Sequence, residues 1–205
     1  MSLIEPRIYL ASRSPRRREL LHQIGVHFDL MLFRTPPRED VEVSEDLFGN
    51  EAADVYVVRV ARAKADFGAK VIAERRLLPR LLLAADTTID VDGEMIAKPR
   101  DAADAAAILG RLSGRSHRVL TAVALTLGDR IGHVLSVSDV RFRDLQAEEI
   151  RRYVASGESF DKAGAYGIQG HAAMFVEEIR GSHSGIVGLP LCETALLLRQ
   201  FGYPI

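Results

Sequence analysis

Ile8-Tyr9-Leu10-Ala11-Ser12-Arg13-Ser14-Pro15-Arg16-Arg17-Arg18-Glu19-Leu20-Leu21 is the stretch on which the architecture turns. An apolar run of strand type gives way to a short polar loop, and a helix then begins abruptly. Ser14 is a good N-cap, and Pro15 suits the first helical position, where a missing N–H is no loss. Arg16, Arg17 and Arg18 crowd three cations into a first turn whose dipole is already positive, at about 0.3–1 kcal/mol each. Free backbone N–H groups, two hydroxyls and a guanidinium cluster on one turn suit a polyphosphate. A solvated basic turn is the plain alternative.

Outward from this turn, Gly25 reads as a helix stop and 26–32 as a second strand. Residues 34–50 form a polar loop holding Glu39, Asp40, Glu42, Glu45 and Asp46, oxygen donors of the kind hard cations take. Spacing of Ala53, Val57, Val60, Ala61 and Lys64 predicts a helix over 51–69, with Lys64 on or beside its apolar face. The run 81–85 reads as a strand covered on both faces and ending at Asp86-Thr87-Thr88. A carboxylate at the carboxyl end of a central strand lies where open α/β sheets hold ligands. Asp92-Gly93 predicts a type I′ hairpin over 89–96, which makes Asp90 and Asp92 turn and edge residues and brings Lys98 back toward Asp86.

Asp101 caps a predicted helix to Leu112, and 117–127 alternates as a half-buried strand paired through Gly128-Asp129 with a partner ending at Phe142. A further helix is predicted over 144–156. Residues 161–170 make a poor helix and a poor strand, yet concentrate Lys162, Tyr166 and Gln169 among three glycines. Glycine permits close backbone approach, and a glutamine amide can both donate and accept. A strand over 175–179, a mobile or ligand-facing loop over 181–188 and a last helix from Pro190 complete the reading. His171 and His183 lack metal-ligand spacing and read as loop residues.

Several of these segments, taken together, resemble one family. Ser12-x-Ser14-Pro15-Arg16-Arg17-x-Glu19-Leu20-Leu21, Ala85-Asp86-Thr87, Lys98-Pro99-Arg100-Asp101, Leu112-Ser113-Gly114-Arg115, Asp161 through Gly170 and Val187-Gly188-Leu189-Pro190 follow the order found in Maf nucleoside-triphosphate pyrophosphatases. The resemblance covers nearly the whole chain. It implies an α/β fold with a long twisted mixed sheet flanked by helices, two lobes with an active-site cleft between them (Maf / inosine-triphosphate-pyrophosphatase-like), and one domain over 1–205. It also implies hydrolysis between the α- and β-phosphates with a divalent cation, Mg2+ or Mn2+. Asp86, Lys98 and Glu45 are then the catalytic candidates, with Asp86 and Glu45 the metal ligands. Ser12, Ser14, Arg16, Arg17, Lys64, Thr87, Lys162 and Gln169 are the substrate-binding candidates. Glu45 is the best match to the family's loop Glu, with Glu42 in reserve. Ser44 stands where the family's preceding Asp is usual, and Arg13 where it has a small residue. The wording of 161–170 resembles the branch acting on dTTP and UTP. A pyrophosphatase for another nucleotide such as 7-methyl-GTP, or a non-catalytic nucleotide-binding or division-associated protein, is the alternative.

The totals fit this reading. The 205 residues carry a formal net charge of -1, so the arginine cluster is not part of a basic surface; this argues against nucleic acid as partner, the rival reading of Arg16–Arg18. One cysteine, Cys192, cannot form an internal disulfide and reads as a helical packing position. No signal-peptide pattern and no membrane-length apolar run occur, so a soluble cytoplasmic protein without a membrane partner is expected. The expected partner is a nucleoside triphosphate, and a homodimer is left open.

Overall fold

The computed structural model describes residues 6–33 and 43–205; the reserve candidate Glu42, with Glu39 and Asp40, lies outside the described residues. In chain order the elements are β1 (Arg7–Leu10), α1 (Pro15–Gln23), β2 (His27–Leu30), α2 (Ala53–Glu74), β3 (Leu82–Val91) and β4 (Glu94–Ile96). There follow α3 (Ala102–Leu112), β5 (Ser116–Leu127), β6 (Arg130–Phe142), α4 (Ala147–Ala155), β7 (Val176–Arg180), α5 (His183–Val187) and α6 (Leu191–Gln200). One mixed sheet runs β2-β1-β3-β5-β6-β7, with β4 paired to β3. β2, β1 and β3 are parallel, and the pairs from β3 onward are antiparallel. This is the α/β mixed sheet that the pattern of strands, helices and hairpins implies.

Alternation along β3 sorts its side chains between two cores. Leu82 and Ala84 pack with Val57, Ala61 and Ala65 of α2. Leu83 and Ala85 face the opposite side, where α1, α3, α4, α5 and α6 contribute Leu21, Leu109, Tyr153, Ile186 and Leu198. Small residues on both partners let α2 lie close to the sheet. A Cβ on Gly68 would come within 2.5 Å of the Leu82 side chain, and the helix runs past the expected stop at Ala69 to Glu74.

β5 is buried on both faces rather than on one. Leu120, Ala122 and Ala124 on its second face are apolar because α2 covers them. The hairpin turn is as expected, with φ of 55° at Asp92 and 85° at Gly93. Asp90 is not an edge residue. It is buried in β3, pairs with Arg118, and accepts from the Gly93 N–H at 2.7 Å.

Residues 181–188 are not an open loop. They contain α5, capped by the Ser182 hydroxyl, which accepts from Gly185 N at 3.0 Å. Cys192 is exposed on α6, where Thr194, Leu197 and Leu198 face inward, so it is not a packing position.

Candidate active site

β3 runs straight through Asp86, so the strand does not end there as the sequence suggests. What ends is its neighbour. Pairing with β1 stops at Leu83, and pairing with β4 begins at Ile89. Between them Asp86, Thr87 and Thr88 are held by β5 on one side only. A cavity of about 720 Å³ opens at this notch, a size suited to a small-molecule ligand. Asp86 shares the α2 face of β3 with Ala84, whereas Thr87 shares the other face with Ala85. The cavity wraps round the free edge and is lined by both.

On the α2 side, the Lys64 ammonium lies 2.9 Å from Asp86 Oδ1 and 2.5 Å from Glu45 Oε1. The helix stripe that places Lys64 also places Tyr56 two turns earlier, and the Tyr56 hydroxyl donates to Glu45 O at 3.0 Å. Burial, reinforced by the negative charges of Asp86 and Glu45, pushes the Tyr56 phenol up to about 12. Burial alone would raise the Glu45 carboxyl, but Lys64, Lys98 and Arg17 outweigh it and hold the group below its ordinary range. Arg59 braces the same loop. It forks onto Glu51 at 2.8 and 2.7 Å, donates to Asp46 O at 2.9 Å, and covers the Phe48 ring at 4.1 Å.

On the other side lies the α1 turn. Ser14 caps the helix as expected, accepting from Arg17 N at 3.4 Å, and its own N–H donates to Ser12 Oγ at 3.2 Å. Arg17 is a tie rather than a free cation. Its Nε donates to Gly188 O at 2.8 Å, Nη1 to Ser12 Oγ at 3.4 Å and Nη2 to Thr87 Oγ1 at 3.2 Å. Burial lowers its pKa, with Asp86 opposing the fall. Gly188 presents its carbonyl from a backbone with φ of 126°, a conformation that favours glycine. Two of the five guanidinium N–H groups stay outside these bonds. Arg16 is held more loosely, 3.7 Å from Asp161.

Residues 161–170 supply the remaining wall, and their side chains divide by role. Gln169 is exposed and lines the cavity, as does Lys98. Lys162 also lines it, but its ammonium turns back onto Glu158 O at 2.7 Å and pairs with Asp161. Tyr166 borders the cavity but offers it little surface. It is buried against Phe142, and its hydroxyl meets His117 Nε2 at 2.8 Å. His171 opens a short 3-10 turn and pairs with Glu158.

Six cationic and three anionic side chains line the cavity of a chain whose net charge is -1. Such a surplus matches a polyanion. Among the described residues, no group of three His, Cys, Asp or Glu is placed to hold a metal. Asp86 and Glu45, converging on one ammonium, instead suit a cation such as Mg2+, which takes one or two carboxylates and completes its shell with waters and substrate phosphates.

A family profile described as "Maf-like protein" matches residues 7–201. The chain belongs to the Maf family. Relatives named "dTTP/UTP pyrophosphatase" include one from Aromatoleum aromaticum, 58% identical, with 100% of both chains covered. Another from Dechloromonas aromatica is 56% identical over 96% of this chain and 98% of its own, and one from Chromobacterium violaceum is 49% identical with 100% of both covered. Among solved structures, the Staphylococcus aureus Ham1 protein matches with a TM-score of 0.44 at 15% identity, over 67% of this chain and 72% of that one. In this Maf chain the notch gathers every substrate and catalytic candidate read from the sequence, from Ser12 to Gln169. Tyr56, Arg59 and Thr121 are additions. Only Tyr56 had a readable signal, its spacing from Lys64 along α2.

Proposed function

We propose that this chain hydrolyses dTTP and UTP, and modified uridine triphosphates, to the monophosphate and pyrophosphate. The observation that carries the reading is the Asp86–Lys64–Glu45 constellation facing the α1 turn across a cationic notch. Water attacks the α-phosphorus, the bond from it to the bridging oxygen breaks, and pyrophosphate leaves with the electron pair. Asp86 takes the water's proton or serves as metal ligand, with Glu45 beside it. A divalent cation, Mg2+ or Mn2+, held by Asp86 and Glu45 would supply Lewis-acid stabilisation of the phosphate charge.

Arg16, the two N–H groups of Arg17 outside its three hydrogen bonds, Ser12, Ser14 and the α1 N-terminus hold phosphate oxygens. Lys64, Lys98 and Lys162 neutralise charge as the bond breaks. Gln169, on the rim, reads the O4 and N3–H edge shared by thymine and uracil, and Thr87 joins it in selectivity. The small net charge supports a nucleotide rather than a nucleic acid as partner. The single cysteine supports a cytoplasmic setting, and no helix among the described residues is long and apolar enough to cross a membrane.

The test is release of pyrophosphate and monophosphate from dTTP, UTP, 7-methyl-GTP, ATP and GTP with magnesium present. Highest kcat/KM for dTTP and UTP is expected. Orthophosphate release, or 7-methyl-GTP as best substrate, would overturn the bond or the base assignment respectively.

A further inference from the structure

Thr121 lies on β5 directly opposite Thr87 and is fully buried. Its hydroxyl donates to Gly185 O at 2.8 Å, a bond whose direction is fixed because a carbonyl only accepts. Thr121 Oγ1 also lies 2.9 Å from Thr87 Oγ1. With its single hydrogen already used, Thr121 must accept there, and Thr87 must donate. Arg17 Nη2, which only donates, takes one lone pair of Thr87 at 3.2 Å. The hydrogens therefore run one way, from Arg17 through Thr87 and Thr121 to Gly185. Thr87, which lines the cavity, keeps one lone pair and no hydrogen.

We propose that Thr121 is a positioning residue that polarises Thr87, making it an acceptor at the wall of the substrate cavity. This rests on the pyrophosphatase reading above. An acceptor-only wall repels phosphate oxygens, which are themselves acceptors, and selects a donor on the nucleoside. Two donors are available in dTTP: the imide N3–H of the base and the 3′-hydroxyl of the sugar. A hydroxyl free to rotate would distinguish neither, because it could offer its hydrogen as easily as its lone pair. The buried Thr121, which touches no substrate, thus sets a selectivity that Thr87 expresses.

Thr121→Val keeps the shape and removes the relay, whereas Thr121→Ser keeps the relay. Both are compared with the parent for kcat/KM on dTTP, N3-methyl-dTTP and 3′-deoxy-dTTP, with circular dichroism and Tm as checks of folding. The parent is expected to discriminate against one of the two analogues. In Thr121→Val that discrimination falls by roughly threefold to tenfold, the scale of one hydrogen bond, and Thr121→Ser restores it. The analogue whose ratio moves identifies the donor that Thr87 reads. In a Thr87→Val background, Thr121→Val has no further effect on the ratio. If the parent releases pyrophosphate but Thr121→Val leaves both ratios unchanged, or Thr121→Ser fails to restore them, the relay is wrong while the pyrophosphatase reading stands. A parent inactive on dTTP overturns both. Should Thr121→Val not fold, Thr121→Ser against Thr121→Ala supplies the same comparison.

Discussion

The Lys64 ammonium sits 2.9 Å from the Asp86 carboxylate, and from that position it also reaches Glu45 at 2.5 Å. One cation thus holds two like charges together at a buried strand and an exposed loop. Without it, burial would raise the Glu45 carboxyl; with it, and with Lys98 and Arg17, the group stays below its ordinary range and ionised at lower pH.

Lys64→Gln should therefore raise the Glu45 pKa and move the acid limb of the pH–activity profile to higher pH. Activity should recover, at least in part, as pH rises through the shifted limb. A kcat/KM profile from pH 5 to 9 checks this. A variant with lower activity but an unmoved limb would show that Lys64 acts on phosphate alone.

Asp86→Asn keeps the size and removes the charge. Turnover should fall by roughly 10²–10⁴-fold, the range for a lost acid–base group, while nucleotide still binds because the cationic side of the cavity is intact. Pyrophosphate release measured beside equilibrium binding of dTTP separates the two effects. Near-parental turnover would remove Asp86 from both proposed roles.

Tyr56 donates to the backbone of Glu45 and not to its carboxylate. Tyr56→Phe should leave Tm almost unchanged, weaken the placing of the loop, and lower kcat/KM by roughly threefold to tenfold. If Glu45 helps to hold the cation, the magnesium concentration for half-activity should rise in the same variant. An unchanged magnesium dependence would confine Tyr56 to packing.

Much of this is legible in the sequence. The Ser14 cap, the Asp92-Gly93 turn and the α2 stripe carrying Lys64 are local, fixed by hydroxyl geometry, positive φ and helical period. What the sequence misplaced depends on strand neighbours. Asp86 reads as a strand end because Thr87 and Thr88 follow the apolar run, yet β5 carries β3 onward and only β1 stops. Ala122 and Ala124 read as one unremarked face of β5 because small residues carry no amphipathic signal, although α2 packs on them. Tyr166 stands out in the sequence only as an aromatic among glycines; the partner of its hydroxyl, His117, is 49 positions away and leaves no local signal.

That His117–Tyr166 pair has a measurable consequence. Burial pushes the His117 imidazole down to about 4 from an ordinary 6.5. The unfolded chain binds this proton as pH falls through 6.5, and the folded chain does not until near 4. Stability from His117 is thus complete above pH 6.5 and lost progressively below it. Between pH 6.5 and 5 the loss should be about 2 kcal/mol. Urea midpoints for the parent and His117→Gln, taken at pH 7 and pH 5, isolate this part from the carboxylates. Parallel losses in the two proteins would exclude it.

Arg16 and Arg17 are adjacent and identical, and the structure assigns them opposite parts. Arg17 joins α1 to Thr87 and Gly188 through three hydrogen bonds. Arg17→Ala leaves the buried ends of those bonds unmet, so it should lose about 1–3 kcal/mol of stability and most activity. Among the described residues, Arg16 has only a distant Asp161 as ion-pair partner, at 3.7 Å. Arg16→Ala removes a like charge from the positive end of the helix, so its stability should hold or rise by about 0.3–1 kcal/mol. Its KM for dTTP should nevertheless rise, because a cation lining the cavity is gone. Urea midpoints and kcat/KM on the two variants decide the matter. Equal destabilisation by both would mean that the turn is structural throughout and that phosphate is held elsewhere in the notch.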